Sequence, residues 1–298
     1  MMKAKKIGIL AVMLVTLMFA GCGGSNNRKE MNSRDTAESV TETSDSITSS
    51  GAKASFNPVY LVKEDDISVS VTDLIYDETW GYTVEFCLEN HRSESVTFTI
   101  DDSYVNDLKT IVFWDIEIAA GSKKYETVDF YVNPDEISIA KKFTFEWLIY
   151  LTESNKNNYI VRETTDFFVD ENQNYTPYTY ALSDTDQIVF DDDIIMLCVT
   201  NVDPEGYGGY TLNVYAENRY ANPIQISIEK ALINGVEVDT YGTFGIANGK
   251  KSNAQIYWME NDLEMANIDE ISSIIITVSV IDEGNLDIIE NIDFKVKL

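Results

Sequence analysis

The feature that most constrains this chain is a long internal repeat. Residues 72–131 superpose on 200–259 at one constant offset, 128 positions, without a gap. Thr72 falls on Thr200, Gly81-Tyr82-Thr83 on Gly209-Tyr210-Thr211, Glu89-Asn90 on Glu217-Asn218, and Asn106 on Asn234. Ala119, Gly121 and Lys123 fall on Ala247, Gly249 and Lys251. The apolar phase follows: Val84/Leu212, Phe86/Val214, Phe98/Ile226, Val128/Ile256 and Phe130/Trp258. Solenoid repeats run about 20–50 residues, so a period this long describes two tandem domains.

Each copy reads as strands. Tyr82, Val84, Phe86 and Leu88 alternate with Thr83, Glu85 and Cys87, the period-2 pattern of a half-buried strand. Ile67/Val69/Val71 and Val96/Phe98/Ile100 repeat it. Residues 143–147 match 274–278 in kind, after the offset drifts by about three positions. Turns of Gly, Asn and Asp punctuate the strands, as in an all-β sandwich. Asn133-Pro134-Asp135-Glu136 and Asn261-Asp262-Leu263-Glu264 predict one short helical turn per copy, with Asn133 as the cap. Polar residues 171–186, with Pro177, predict a linker between the copies.

The amino terminus reads as an address. Lys3, Lys5 and Lys6 precede an uncharged run, Ile7–Ala20, which is short for a span of about 20 apolar residues and suits a secretory signal. The run ends Phe19-Ala20-Gly21-Cys22, which resembles the bacterial lipobox, with Phe19 where Leu is usual. That resemblance implies that the Cys22 thiol carries a diacylglyceryl group and that Cys22 becomes the first residue of the mature chain. Each buried acyl CH₂ contributes about 0.8 kcal/mol, so two long chains anchor stably where one is marginal. Residues 23–57 are rich in Ser, Thr, Asn, Asp and Glu and cannot bury enough surface to offset their ordering entropy. A polar coil of about 35 residues reaches roughly 30–35 Å.

Charge excludes some partners. Asp and Glu number 50 against 22 Lys and Arg, a formal net charge of −28. Nucleic-acid affinity rests on Lys and Arg contacts to phosphate, and an electrostatic hold on anionic lipid needs the same residues. With 44% hydrophobic residues, the chain is too apolar to be a disordered acidic polymer.

Leader, tether and repeat together resemble the uncharacterised immunoglobulin-like lipoproteins of low-GC Gram-positive bacteria. The residues that carry the likeness are Glu217-Asn218 closing a strand, the Asn234-Gly235 turn, Gly249-Lys250-Lys251, and the Ile-rich strand 274–278. The first copy keeps Glu89-Asn90 and Gly121 but has Asp107 where the second has Gly235. The expected organisation is a lipoprotein signal peptide (1–21), a lipidated Cys22 and flexible linker (22–57), one immunoglobulin-like sandwich (58–170), a linker (171–186) and a second sandwich (187–298). The resemblance carries no chemistry, because its motifs are turn residues.

Catalytic signals are sparse. His91 is the one histidine, in a strand-end turn, so a Ser-His-Asp triad would have a single centre. Gly-x-Ser-x-Gly, His-Glu-x-x-His and phosphate-loop motifs are absent from the sequence. Cys87 and Cys198 do not occupy equivalent positions, so they read as two covered free thiols or as an interdomain bridge. Asp65-Asp66, Asp101-Asp102 and Asp191-Asp192-Asp193 lack the calcium-loop pattern and read as solvated surface. Trp147 and Trp258 read as core. Trp80 and Tyr207 lie in corresponding inter-strand loops and are the candidate ligand-binding residues; the plainer alternative folds each ring over its own sandwich edge. The expectation is a membrane-anchored extracellular lipoprotein with non-enzymatic binding domains. It needs no cofactor or metal, meets membrane lipid through Cys22 and an envelope protein or glycan through its domains, and does not bind nucleic acid. The alternatives are a spacer or assembly partner of another envelope protein and, last, a carboxylate-based hydrolase.

Overall fold

Period-2 alternation in both copies produces sheets. The computed structural model describes residues 57–77, 81–133, 136–154, 158–169 and 172–298. The leader, Cys22, the linker before residue 57, and Trp80 lie outside the described residues. The first half carries β1 (Val59–Lys63), β2 (Ile67–Asp77), β3 (Gly81–Asn90), β4 (Val96–Val105), β5 (Leu108–Thr110), β6 (Trp114–Ile118), β7 (Ser122–Phe130), β8 (Lys142–Leu151) and β9 (Tyr159–Phe168). The second carries β10 (Gln187–Asp191), β11 (Ile195–Gly206), β12 (Gly209–Asn218), β13 (Ile224–Ile233), β14 (Val236–Glu237), β15 (Phe244–Ile246), β16 (Lys251–Trp258), helix α1 (Glu260–Met265), β17 (Ile274–Asp282) and β18 (Ile288–Val296). The fold is all-β, with both halves inside one compact unit, Lys53–Leu298.

Each half buries its apolar rows between two sheets. In the first, β1-β2-β3-β7 faces β5-β4-β8-β9, with β6 also on β4. Its core is aromatic: Phe86 meets Trp147 edge-on at 5.3 Å and Phe145 at 5.4 Å. In the second, β10-β11-β12-β16 faces β14-β13-β17-β18, with β15 also on β13. Its core is aliphatic, built on Ile224, Ile226, Ile274 and Ile276 around Trp258. Both predicted core tryptophans are fully buried. Burying such side chains contributes about 1.5–3 kcal/mol each.

The duplication extends to irregularities that a generic strand pattern does not encode. The β1–β2 register shifts between Tyr60 and Val62, and the β10–β11 register between Ile188 and Phe190, 128 places on. Bulges at Thr72 and Thr200 recur at the same offset, and each threonine hydroxyl donates to the partner strand, at the Glu85 or Asn213 carbonyl. Two fully buried asparagines repeat one motif. Asn90 Nδ2 donates to the Glu94 and Ile118 carbonyls, and Asn218 Nδ2 to those of Asn222 and Ile246. Each amide oxygen accepts the N–H two residues on, from Arg92 or Tyr220. A buried amide left without such partners costs about 1–3 kcal/mol, so each asparagine locks its loop in one conformation.

The helical turn of the second copy is α1, which starts at Glu260 with Met259 as its cap and no side-chain hydrogen bond there. In the first copy the Asn133 carbonyl accepts the N–H groups of Glu136 and Ile137, a single turn. The segment after β9 is not a bare connector. Tyr180 stacks on Tyr215 at 4.7 Å, Tyr178 lies 6.3 Å from the same ring, and together they cover Met196 and Cys198.

The two sandwiches share a sheet. Leu108 of β5 pairs in parallel with Lys251 of β16, which joins the inner sheets of the halves into one nine-stranded sheet. The remaining strand pairs are antiparallel.

Candidate functional site

The junction is built around one turn. Asn106 and Asp107 link β4 to β5, both with positive φ, at 46° and 72°. Asn234 and Gly235 link β13 to β14 with φ of 52° and 84°. A two-residue hairpin of this type requires φ above zero at both positions, and Asn-Gly meets it with least strain. Asp107 is thus a strained residue where glycine would serve. Its carboxylate reaches across the junction: Oδ1 lies 2.6 Å from Lys250 Nζ and 3.3 Å from Lys142 Nζ, and Oδ2 accepts the Tyr175 hydroxyl at 2.9 Å.

The network continues outward and is nearly dry. Lys142 also meets Asp166 at 3.1 Å, and Lys250 donates to Thr144 Oγ1. Lys142 lies over the Tyr175 and Phe168 rings. Burial works against the Asp107 charge. The Lys250 hydrogen bond, the two lysine charges and the Tyr175 hydroxyl outweigh it, so its pKa lies below the ordinary aspartate value. Burial also opposes the Lys142 charge, but Asp107 and Asp166 hold its pKa above the lysine norm. Burial, aided by the charge on Lys142, pulls Lys250 below that norm despite its bond to Asp107. Nearby, Tyr104 Oη accepts the Ala247 N–H, and Lys109 Nζ donates to the Gly245 carbonyl while pairing with Asp102 at 2.7 Å.

Beside this network lies a groove of about 730 Å³, lined by Lys109, Ile111 and Glu136, by residues 242–244 and by residues of β11, β12 and β16. Ile111 is exposed at its wall, and Phe113, two residues on, is 97% exposed.

The second candidate region is the β11–β12 hairpin. Gly206 pairs with Gly209, so Tyr207 and Gly208 form its tip. Tyr207 is fully exposed, so its ring does not fold back over the sandwich edge. Gly209 has φ of 112°, and a Cβ there would run into the Trp258 carbonyl; the tip is held close to β16. A groove of about 760 Å³ at its base carries Glu205, Glu260, Glu264, Asp269 and Glu270.

His91 is exposed, with Nε2 3.2 Å from Glu89. Cys87 and Cys198 are free and buried, more deeply than strand phase indicated. Burial, with the charge of Asp186, pushes the Cys198 thiol up to about 11. Members of the acidic runs are engaged: Asp66 with Arg92, Asp102 with Lys109, and Asp191 with Arg219. Among the described residues, no group of three or more His, Cys, Asp or Glu side chains could hold a metal ion. Among them too, no helix is long and apolar enough to cross a membrane.

Sequence reasoning missed the junction cluster and Phe113. The cluster had one legible trace, Asp107 in a position where the other copy places glycine. Phe113 had none.

No protein-family model and no curated protein matches the chain. Among solved structures, the YadV chaperone aligns at 14% identity and a TM-score of 0.25, over 78% of this chain and 100% of that one. The exo-chitosanase CsxA of Amycolatopsis orientalis aligns at 14% identity and a TM-score of 0.25, over 76% of this chain and 26% of its own. Likenesses this slight carry no argument about either fold or function.

Proposed function

We propose that the chain is a lipid-anchored binding protein of the cell surface: acylated Cys22 holds it to the membrane on the outer side, a polar tether lifts it, and two immunoglobulin-like sandwiches present a non-enzymatic interaction surface. The observation that supports this most is Tyr207, fully exposed at the tip of a hairpin whose glycines pin it to β16. An aromatic ring displayed on an already ordered turn loses little entropy when a partner covers it, which is how anchor residues of interfaces behave. Trp80 occupies the corresponding loop of the first copy in the sequence repeat. The reading assigns no reaction to the protein.

A spacer role is favoured by a different observation, the shared sheet and buried ion network that join the halves. Crosslinking in the native membrane separates the two. Under the binding reading, Trp80→Ala with Tyr207→Ala removes capture of the envelope protein or glycan that the intact chain captures. Capture unchanged by the double variant, with one envelope protein recovered persistently, supports the spacer instead.

A further inference from the structure

We propose that the junction groove is a binding site for a short neutral oligosaccharide. This goes beyond the hairpin tip: it rests on the chain being a binding protein, but not on Tyr207.

The groove departs from the chain around it. In a protein of net charge −28, its walls carry one carboxylate, Glu136, and one ammonium, Lys109. Both are engaged, Glu136 by the Asn253 amide at 2.8 Å and Lys109 by Asp102 at 2.7 Å. The remaining polar lining is neutral, chiefly Asn201, Asn213, Thr243, Asn253 and Gln255; the Gln255 amide donates to Asn213 Oδ1 at 3.0 Å, which leaves the Gln255 Oε1 and the Asn213 Nδ2. Amide and hydroxyl groups both donate and accept, and so do the hydroxyls of a sugar. Phe244 and Ile111 supply apolar surface for the C–H face of a ring. The volume, about 730 Å³, falls among small-molecule sites of roughly 300–1,000 Å³, which gather at domain interfaces.

Backbone groups add a second argument. Alternate residues of a strand aim their N–H and C=O at the same edge. On the outer edge of β16, the Lys251 N–H donates to the Asp107 carbonyl, and Tyr257 exchanges both hydrogen bonds with Tyr241. Asn253 and Gln255 lie between and point the same way. Among the described residues, no backbone group pairs with theirs on that side. Gly242 packs over the Gln255 carbonyl and the Ser252 hydroxyl donates to the Asn253 carbonyl, which leaves the Asn253 and Gln255 N–H groups to the groove. The opening is too short for an added peptide strand of about five residues, because the pairings at Lys251 and Tyr257 close both ends. The acidic field disfavours an anionic sugar.

The test is calorimetric titration of the full chain in detergent with cellotriose, maltotriose and an N-acetylglucosamine trimer as neutral probes. Trigalacturonate and an uncharged extended peptide serve as controls. At least one neutral trisaccharide binds, and Asn201→Ala with Gln255→Ala weakens it at least tenfold, whereas Tyr207→Ala leaves it unchanged. Hydrogen exchange on the unmodified protein gives a readout without variants: the bound sugar slows exchange at the Asn253 and Gln255 amides. The proposal is overturned if no neutral trisaccharide binds, if only trigalacturonate or the peptide binds, if Tyr207→Ala abolishes binding, or if those two amides gain no protection.

Discussion

Asp107 and Lys250 stand 143 residues apart in the chain and 2.6 Å apart in space, an ion pair that joins the two copies. Asp107 tolerates a left-handed backbone to make it. Removing one member of a buried ionic cluster leaves the others uncompensated, at about 3–5 kcal/mol. Asp107→Asn is therefore expected to lower stability by roughly 3 kcal/mol in urea titration at neutral pH. Asp107→Gly loses the same charge but relieves the left-handed strain, which for an ordinary side chain is roughly 1–2 kcal/mol. It should be less destabilising than Asp107→Ala. Equal stability of the Gly and Ala variants would mean that the turn stores no strain.

The same carboxylate makes stability depend on pH. A carboxylate whose folded pKa is lowered contributes stability fully above its unfolded value, and that contribution is lost as pH falls through the folded value. Asp107 is lowered from 3.8 by Lys250, Lys142 and Tyr175 acting against burial. The gap in urea midpoint between the unmodified chain and Asp107→Asn should stay constant from neutral pH down to about 5, then narrow steadily toward pH 2. A gap that widens on acidification would contradict the assignment.

The buried asparagines give a paired prediction. Asn218→Ala leaves two carbonyls and one N–H without their amide partner, and Asn90→Ala leaves the equivalent three groups and the Ala119 carbonyl as well. Each substitution should destabilise by about 2 kcal/mol or more, and by similar amounts, because the two amides share three equivalent bonds. Thermal melts check this. A large cost at one position and none at the other would show that the repeat is geometric but not energetic.

The reasons these features were or were not legible differ by residue. Strands around Val84, Phe86 and Phe98 were readable because one buried face imposes alternation on every second side chain. The asparagine locks were half readable: Asn90/Asn218 and Asn106/Asn234 recur at one offset, but no local pattern says what an amide will reach. The Lys250–Asp107 contact was opaque, because it depends on how two copies meet and sequence periodicity describes only each copy. Tyr207 was legible as a loop aromatic, since a glycine on each side leaves it no strand to join. The groove was not, because its neutral lining comes from β11, β12, β16 and the segment before β15, and only their packing brings it together.

Cys198 offers a chemical test of the strap formed by Tyr178 and Tyr180. Its thiol is pushed up to about 11, with burial the main cause and the charge of Asp186 adding to it. The thiolate is the reactive species, so a shift from 9.0 to about 11 cuts its population at pH 8 about a hundredfold. Alkylation of the folded chain at pH 8, read peptide by peptide in a mass spectrometer, should find Cys198 unmodified until urea unfolds the protein. Tyr180→Ala removes the ring stacked 4.7 Å from Tyr215 and uncovers that side of the thiol. Labelling of Cys198 should then become measurable under native conditions, while Tyr207→Ala leaves it as slow as before. Rapid labelling of the unmodified chain would mean that the strap opens readily in solution.

The hairpin tip separates display from folding. Tyr207 is fully exposed, so Tyr207→Ala should change the melting free energy by less than about 0.5 kcal/mol. Gly209 is the opposite case. Its φ of 112° disfavours any side chain, and a Cβ would collide with the Trp258 carbonyl on the strand that holds the hairpin down. Gly209→Ala should destabilise by about 2 kcal/mol or more. Gly81→Ala should behave the same way, since its φ is 85° and its Cβ would meet the Phe130 carbonyl at 2.6 Å. Thermal denaturation of the three variants decides the matter. If Tyr207→Ala proved as damaging as Gly209→Ala, the ring would be part of the fold, and its display to a partner would no longer be the reason it stands where it does.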